Sequence, residues 1–181
     1  MRPRTLFASA FASLLLFAGA TSTAVAAPEN ASGHPAVDFG THMTINAETV
    51  YQCNWTFCNS GLMEGSAWAG CQTTGNGTSA RWDLVLDRSS FVAGFLPRST
   101  GLGLPSCPNR GHLRTLGATT VYQCNWTFCN AGSIEGAVRV LCHTTGNGTG
   151  TRWDLVLDES SFVVGFVPRS TGAPAENCAN L

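Results

Sequence analysis

Residues 152–158 read Arg-Trp-Asp-Leu-Val-Leu-Asp, and residues 81–87 read the same. Side chains alternate between the two faces of a β-strand, so Trp153, Leu155 and Leu157 share one face of the predicted strand. Just before it, residues 144–149 read Thr-Thr-Gly-Asn-Gly-Thr, and Asn-Gly favours a tight reversal between strands. The stretch therefore predicts a turn followed by a strand with one fully apolar face.

The residues around this strand indicate further short strands and no helix. Strands are predicted at 120–128, 137–142 and 161–167, and no stretch keeps helical periodicity over ten residues. The last strand ends before Pro168, which has no amide hydrogen for further pairing. Four short strands separated by turns predict an all-β module, a small barrel or sandwich.

This module occurs twice. Residues 49–101 align without a gap to residues 120–172, at an offset of 71, and only 14 of these 53 positions differ. Five of the differences are adjacent, where residues 66–70 become residues 137–141. Two explanations are open: neutral substitution at the protein surface, or a different ligand preference in the two repeats. We expect a flexible leader at 27–46, a first repeat at 47–107, a linker at 108–117 and a second repeat at 118–181.

The first 26 residues have the pattern of a secretory signal peptide. Arg2 and Arg4 precede an apolar run at 6–20 and an Ala-Val-Ala ending at 24–26. Cleavage there leaves 8 arginines against 11 acidic residues, a net charge of −3. Such a charge is unfavourable for nucleic-acid binding. No later run is long enough for a transmembrane helix. We expect an extracellular protein without nucleic-acid partners and without membrane insertion after cleavage.

The cysteines predict disulfides. An even number in an exported chain favours pairing, and the offset of 71 gives each repeat four. Four cysteines allow three pairings. The preferred one joins Cys53 to Cys58, Cys71 to Cys107, Cys124 to Cys129 and Cys142 to Cys178. We expect no metal site, because Cys-x4-Cys and the unmatched histidines lack the spacing of zinc ligands.

With these features in place, the repeats resemble bacterial Src-homology-3-type domains of exported and cell-wall-associated proteins. The resemblance covers residues 64–100 and 135–171 and rests on Glu-Gly-Ala-Val-Arg-Val-Leu-Cys at 135–142, Arg-Trp-Asp-Leu-Val at 152–156 and Gly-Phe-Val-Pro at 165–168. The segment with which domains of this family usually begin is replaced here by the Cys-x4-Cys stretch. The resemblance implies two tandem small β-barrel modules, stabilised by disulfides, that bind cell-wall peptidoglycan or an extracellular protein.

A catalytic arrangement is not expected from the sequence. Asp83 and Asp87 share a strand face by parity and are interpreted as a solvated face. His143 is the one histidine inside the aligned region, and Gln72 replaces it in the first repeat, so the two repeats cannot share a histidine base. We expect no enzymatic activity and no cofactor, although a small hydrolase is the least favoured of three alternatives.

Aromatic residues recur in both repeats and give the candidate ligand surface. Trp82 and Trp153 are expected in the core, because leucines flank them on the same face. Strand parity places Tyr51, Cys53, Trp55 and Phe57 on one face. The candidate ligand-binding residues are Tyr51, Trp55, Phe57, Trp68, Tyr122, Trp126 and Phe128.

Two functions follow from this surface. The leading hypothesis is an exported, non-catalytic binding protein, in which duplication raises avidity for the cell wall or an extracellular protein. The alternative is a disulfide-rich secreted inhibitor or toxin-like effector. Because each repeat carries its own cysteines and strands, residues 115–181 are also predicted to fold alone, with a minor interface between the repeats.

Overall fold

The computed structural model describes residues 38–76, 78–97, 102–108, 110–147, 150–168 and 171–181. The predicted signal peptide lies outside this part. The eight strands are β1 (Thr41–Tyr51), β2 (Ser60–Thr74), β3 (Arg81–Asp87), β4 (Val92–Leu96), β5 (His112–Tyr122), β6 (Ala131–Thr145), β7 (Arg152–Asp158) and β8 (Val164–Val167). The described residues include no helix, which confirms the all-β prediction. None of these residues therefore belongs to a helix that could cross a membrane.

The strands form two antiparallel four-stranded sheets, β1-β2-β3-β4 and β5-β6-β7-β8. In each, the last residue of the first strand also pairs with the fourth strand: Tyr51 lies opposite Phe95, and Tyr122 lies opposite Phe166. Each sheet therefore closes on itself. The second sheet repeats the strand bounds of the first at the offset of 71 residues, apart from a later start of β8.

Two boundary predictions were wrong. β1 begins at Thr41, inside the segment expected to be a flexible leader, and β5 begins at His112, inside the expected linker. These strands also end at Tyr51 and Tyr122 and do not continue through the Cys-x4-Cys stretch. A short disulfide explains the ending, because it holds two Cα atoms 5.8 Å apart across five residues that would span about 17 Å if extended.

The four disulfides join the cysteines in the preferred pairing. Two of them close the six-residue loops, and the others join β2 to Cys107 and β6 to Cys178. Backbone hydrogen bonds accompany the longer pair: Cys107 N donates to Gln72 O at 2.9 Å, and Cys178 N donates to His143 O at 2.7 Å. Each disulfide therefore lies within its own repeat.

Both faces of β3 and β7 are buried. Trp153, Leu155 and Leu157 face one hydrophobic cluster, as predicted, and Val156 faces another. The first cluster contains residues of both repeats: Phe39, Cys71, Trp82, Leu84, Leu86, Ala93, Phe95 and Cys107 with Leu141, Cys142, Trp153, Leu155, Leu157, Val164, Phe166 and Cys178. The prediction of a minor interface was therefore wrong, because the sheets share one apolar core.

Reciprocal hydrogen bonds surround this shared core. Gln52 Nε2 donates to Val121 O, and its counterpart Gln123 Nε2 donates to Val50 O at 3.1 Å. Backbone bonds do the same: Val164 N donates to Gln52 O at 2.7 Å, and Ala93 N donates to Gln123 O at 2.8 Å. Each of these contacts has a counterpart between the residues 71 positions away, which is the pattern of an isologous two-fold interface, here within one chain.

Candidate ligand-binding site

Two disulfide-closed loops carry the most exposed aromatic side chains of the described residues. In the first aromatic loop (residues 53–58), Trp55 is 44% exposed and Phe57 is 83% exposed. Their rings meet edge to face with centroids 5.1 Å apart. The second aromatic loop (residues 124–129) repeats this with Trp126 at 47%, Phe128 at 85% and a separation of 5.2 Å. Each loop thus presents one preformed aromatic pair.

A buried asparagine fixes each aromatic loop to its own sheet. Asn54 Nδ2 donates to Thr74 O at 2.8 Å, and Asn125 Nδ2 donates to Thr145 O at 2.9 Å. Within the first loop, Cys58 N donates to Trp55 O at 3.2 Å. A disulfide, a turn and an anchored amide therefore restrain six residues, so the aromatic pair loses little conformational freedom on binding a ligand.

Both aromatic loops begin and end at the junction of the repeats. Gln52 precedes the first loop and Asn59 follows it, and Asn59 Nδ2 donates to Ala131 O of the second repeat. In the equivalent contact, Asn130 Nδ2 donates to Ser60 O of the first repeat. Two sets of cross-repeat bonds therefore hold the bases of the loops, which gives the two aromatic pairs a fixed spacing.

The other candidate aromatics are placed differently. Tyr51 and Tyr122 are half-buried and pack edge to face on Trp82 and Trp153, at 5.7 and 5.8 Å, against the shared core. Trp82 and Trp153 are buried, as expected. The parity argument that grouped Tyr51 with Trp55 and Phe57 fails, because the strand ends at Tyr51.

Trp68 also differs from the aromatics of the two loops, because other side chains cover its ring. The guanidinium carbon of Arg88 lies 4.3 Å from its ring centroid, and the ring of His42 packs on it edge to face with centroids 5.1 Å apart. Trp68 is half-buried and packs against the shared core. Its ring is already covered by protein, so it offers less surface for a ligand than Trp55 or Phe57.

The acidic residues do not form the solvated face that we expected. Asp83, Asp87, Asp154 and Asp158 are all buried. Asp154 accepts from Arg152 Nε at 2.6 Å and from Thr171 N at 2.6 Å. The expectation was wrong because these faces of β3 and β7 are also buried: Val85 and Val156, which share them with the aspartates, lie in hydrophobic clusters.

Asp87 and Asp158 organise the turns that follow β3 and β7. Asp87 Oδ1 accepts from the amide of Ser89 at 2.8 Å and from its hydroxyl at 2.7 Å, and Oδ2 accepts from the Ser90 hydroxyl. Burial alone would raise the pKa of Asp87, but the hydrogen bonds from Ser90 and Ser89 outweigh it and hold this pKa below its ordinary value. The pKa of Asp158 is lowered for the same reason.

These Asp-Ser-Ser turns help to line two depressions at the junction. One, of about 280 Å³, lies between Ser89, Ser90 and Phe91 of the first repeat and Asn125, Thr145, Gly146 and Asn147 of the second. The other, also about 280 Å³, has the equivalent walls exchanged: Asn54, Thr74, Gly75 and Asn76 face Ser160, Ser161 and Phe162. Each depression is built by both repeats and begins next to an aromatic loop.

Nothing in the described residues groups three or more metal-ligating side chains of His, Cys, Asp or Glu. His143 Nδ1 lies 2.7 Å from Ala175 O, in the segment leading to Cys178. No protein-family model, curated protein or solved structure matches the chain. The candidate site therefore rests on its own geometry.

Sequence reasoning missed the residues that join the repeats and line the depressions. Gln52, Gln123, Asn59 and Asn130 lie beside cysteines in segments identical between the repeats, but so do many residues with no such role. Phe91 and Phe162 have φ of 51° and 53°, in the left-handed region that non-glycine residues rarely adopt. No sequence signal announces that conformation at an aromatic residue.

Proposed function

We propose that this chain is an exported binding protein without catalytic activity, a pair of Src-homology-3-like modules whose aromatic loops contact cell-wall peptidoglycan. The observation that supports it is the exposure of Phe57 and Phe128, at 83% and 85%, on loops held by a disulfide and an anchored asparagine. Aromatic residues, phenylalanine among them, are enriched in binding interfaces, and tryptophan is one of the residues that most often dominate the binding energy.

The fixed spacing of the two pairs suits a repetitive partner. A polymer with a regular repeat can meet both aromatic loops at once, and the second contact then forms at a high effective concentration. The cross-repeat bonds at Gln52 and Asn59 support this, because they keep the loops from moving apart. A cell-wall polymer outside the cell has such a repeat, and the four disulfides are consistent with that compartment.

The test is co-sedimentation of the purified, oxidised protein with insoluble peptidoglycan. Phe57→Ala with Phe128→Ala should reduce the retained fraction by about tenfold or more, which corresponds to about 1.4 kcal/mol. Trp55→Ala with Trp126→Ala should do the same, and each single substitution should have a smaller effect because one loop still binds.

The matched control replaces exposed leucines outside the aromatic loops. Leu62 on β2 and Leu113 on β5 are 67% and 51% exposed. Leu62→Ala with Leu113→Ala removes comparable apolar surface and should leave retention unchanged. Circular dichroism of every variant should match the parent. Retention that survives both aromatic double substitutions, with the fold intact, would contradict the proposal.

A secreted inhibitor is the second candidate, since a six-residue loop with an exposed Phe57 can fill a cleft of a target enzyme. The rigid disulfide closure is the feature that favours it. Incubation with a panel of secreted hydrolases separates the two: inhibition that is lost with Phe57→Ala, without retention on peptidoglycan, would support the inhibitor.

A further inference from the structure

Each of the two junction depressions has walls from both repeats. In one, the turn at Ser160, Ser161 and Phe162 faces Asn54 and Thr74 of the first repeat; in the other, Ser89, Ser90 and Phe91 face Asn125 and Thr145. We propose that these depressions are two equivalent saccharide subsites, each taking one neutral sugar unit. The inference rests on the proposed function and identifies the glycan, not the peptide, as the recognised part of the wall.

The hydroxyl groups of the walls present acceptors. A serine hydroxyl has one hydrogen to donate and two lone pairs. Ser160 Oγ donates to Asp158 Oδ1 at 2.7 Å, and Ser161 Oγ donates to Asp158 Oδ2 at 2.6 Å. Because the hydrogens point to the carboxylate, these oxygens can only accept hydrogen bonds from a ligand. Val163 N already donates to Ser161 Oγ at 3.3 Å, which leaves one lone pair on that oxygen and two on Ser160 Oγ. The turn at Ser89 and Ser90 has the same arrangement around Asp87.

The opposite wall adds carboxamide acceptors. Asn54 and Asn125 are buried, and their Nδ2 groups are committed to Thr74 O and Thr145 O. Their Oδ1 atoms accept no hydrogen bond from the described residues. The walls also include the exposed Asn76 and Asn147, whose carboxamides can donate as well as accept. An uncharged surface with these acceptors favours a ligand that carries several hydroxyl or amide groups and no net charge, which is the chemistry of a neutral sugar.

Size and backbone geometry support a small ligand. A volume of about 280 Å³ is close to the lower end of the range for ligand pockets, about 300 Å³, and fits a single sugar ring better than a peptide. Phe91 and Phe162 line the two depressions with positive φ. Such backbone conformations concentrate at ligand clamps, where the surrounding structure enforces them.

The chain position of the asparagines links these subsites to the aromatic loops. Asn54 directly precedes Trp55, and Asn125 directly precedes Trp126. A glycan that contacts an aromatic pair can therefore continue into the adjacent depression. Neither depression is complete in a single repeat, so binding at these subsites requires both repeats in one folded unit.

The test is calorimetric titration of the full chain with a soluble, peptide-free oligomer of N-acetylglucosamine. Thr74→Arg places a donor-rich side chain against the acceptors of one depression, and Thr145→Arg does so in the other. Both threonines are exposed and use their carbonyls, not their side chains, to hold the loops. Each single variant should halve the number of bound oligomers, and the double variant should abolish binding.

The matched control places the same charges elsewhere. Ser79 and Ser133 are exposed and lie outside both depressions. Ser79→Arg with Ser133→Arg should bind like the parent. Unchanged binding by the Thr74 and Thr145 double variant would overturn the subsites, as would equal loss in the control. If the parent binds insoluble peptidoglycan but not the oligomer, the glycan inference fails and the proposed function stands. If it binds neither, both fail.

Discussion

The two repeats use the same pair of positions in different ways. In the first repeat, Arg88 lies over the ring of Trp68, 4.3 Å from its centroid. In the second, Arg139 occupies the position of Trp68, and its Nε lies 3.2 Å from Glu159 Oε1, at the position of Arg88. A cation–π contact has thus been exchanged for an ion pair, with the arginine moved from one partner to the other.

This exchange explains part of the block of five adjacent differences before the third cysteine. A change in ligand preference would place the altered side chains at a free surface. Trp68 is instead covered by Arg88 and His42, and Arg139 is buried against Glu159. The substitutions at 68 and 88 therefore compensate each other in packing, and the residues shared by both repeats are the better candidates for ligand contact.

The largest expected effect comes from separating the repeats. An isolated second repeat (residues 110–181) would expose its half of the shared core, including Trp153, Leu157 and Phe166. Its junction is self-complementary, so we expect a homodimer that reproduces the junction and loses fixed tertiary structure on dilution. Sedimentation and near-ultraviolet circular dichroism over a concentration series measure this.

A protease site inserted after Pro108 in the full chain gives the control. The cleaved halves should remain associated, because the shared core and the reciprocal hydrogen bonds do not depend on the connection. A second repeat that is monomeric and cooperatively folded at all concentrations would contradict the need for a shared core and support the prediction of independent modules.

The strand whose bounds were predicted correctly and the strands whose starts were predicted wrongly differ in one physical respect. β7 keeps strict alternation, so Trp153, Leu155 and Leu157 identified its face correctly. β1 has a register shift between Ile45 and Glu48, with Ala47 at a φ of 52°, and its buried residues Ile45 and Val50 are an odd number apart. A bulge of this kind breaks the alternation on which the prediction depends.

The candidate site likewise has one part that could be predicted from the sequence and one part that could not. The aromatic loops could be predicted from neighbouring residues: the pairing preferred among the three joined Cys53 to Cys58, and Trp55 and Phe57 lie between them. The depressions could not be predicted, because each joins residues as far apart as Asn54 and Ser161. Independent cysteine sets also suggested independent modules, although a disulfide within a repeat says nothing about the apolar surface left for the other.

The next effect concerns the exchanged pair. Trp68→Arg would place a second arginine beside Arg88 and should lower the free energy of unfolding by about 1–2 kcal/mol, from lost packing and like-charge repulsion. Adding Arg88→Glu recreates the pairing of the second repeat and should recover part of that loss. Urea denaturation of the single and double variants gives the coupling energy. If the second substitution deepens the loss, the two positions are not interchangeable.

The smallest effect is expected at the Asp-Ser-Ser turns, and it is the sharpest test of whether the repeats are equivalent. The pKa values of Asp87 and Asp158 are lower in the folded chain than the ordinary value of about 3.9. Each carboxylate therefore stabilises the fold above about pH 4, and this contribution is lost as the pH falls through the lowered pKa. Asp87→Asn and Asp158→Asn should each reduce stability modestly at pH 7, and the difference from the parent should shrink toward pH 2.

Their neighbours differ, Arg88 in one turn and Glu159 in the other, but the serine hydrogen bonds are the same. If those bonds determine the effect, urea denaturation at a series of pH values should give the two variants matching profiles. Profiles that diverge between the two asparagine variants would show that the neighbouring charge, and not the shared turn, controls the carboxylate.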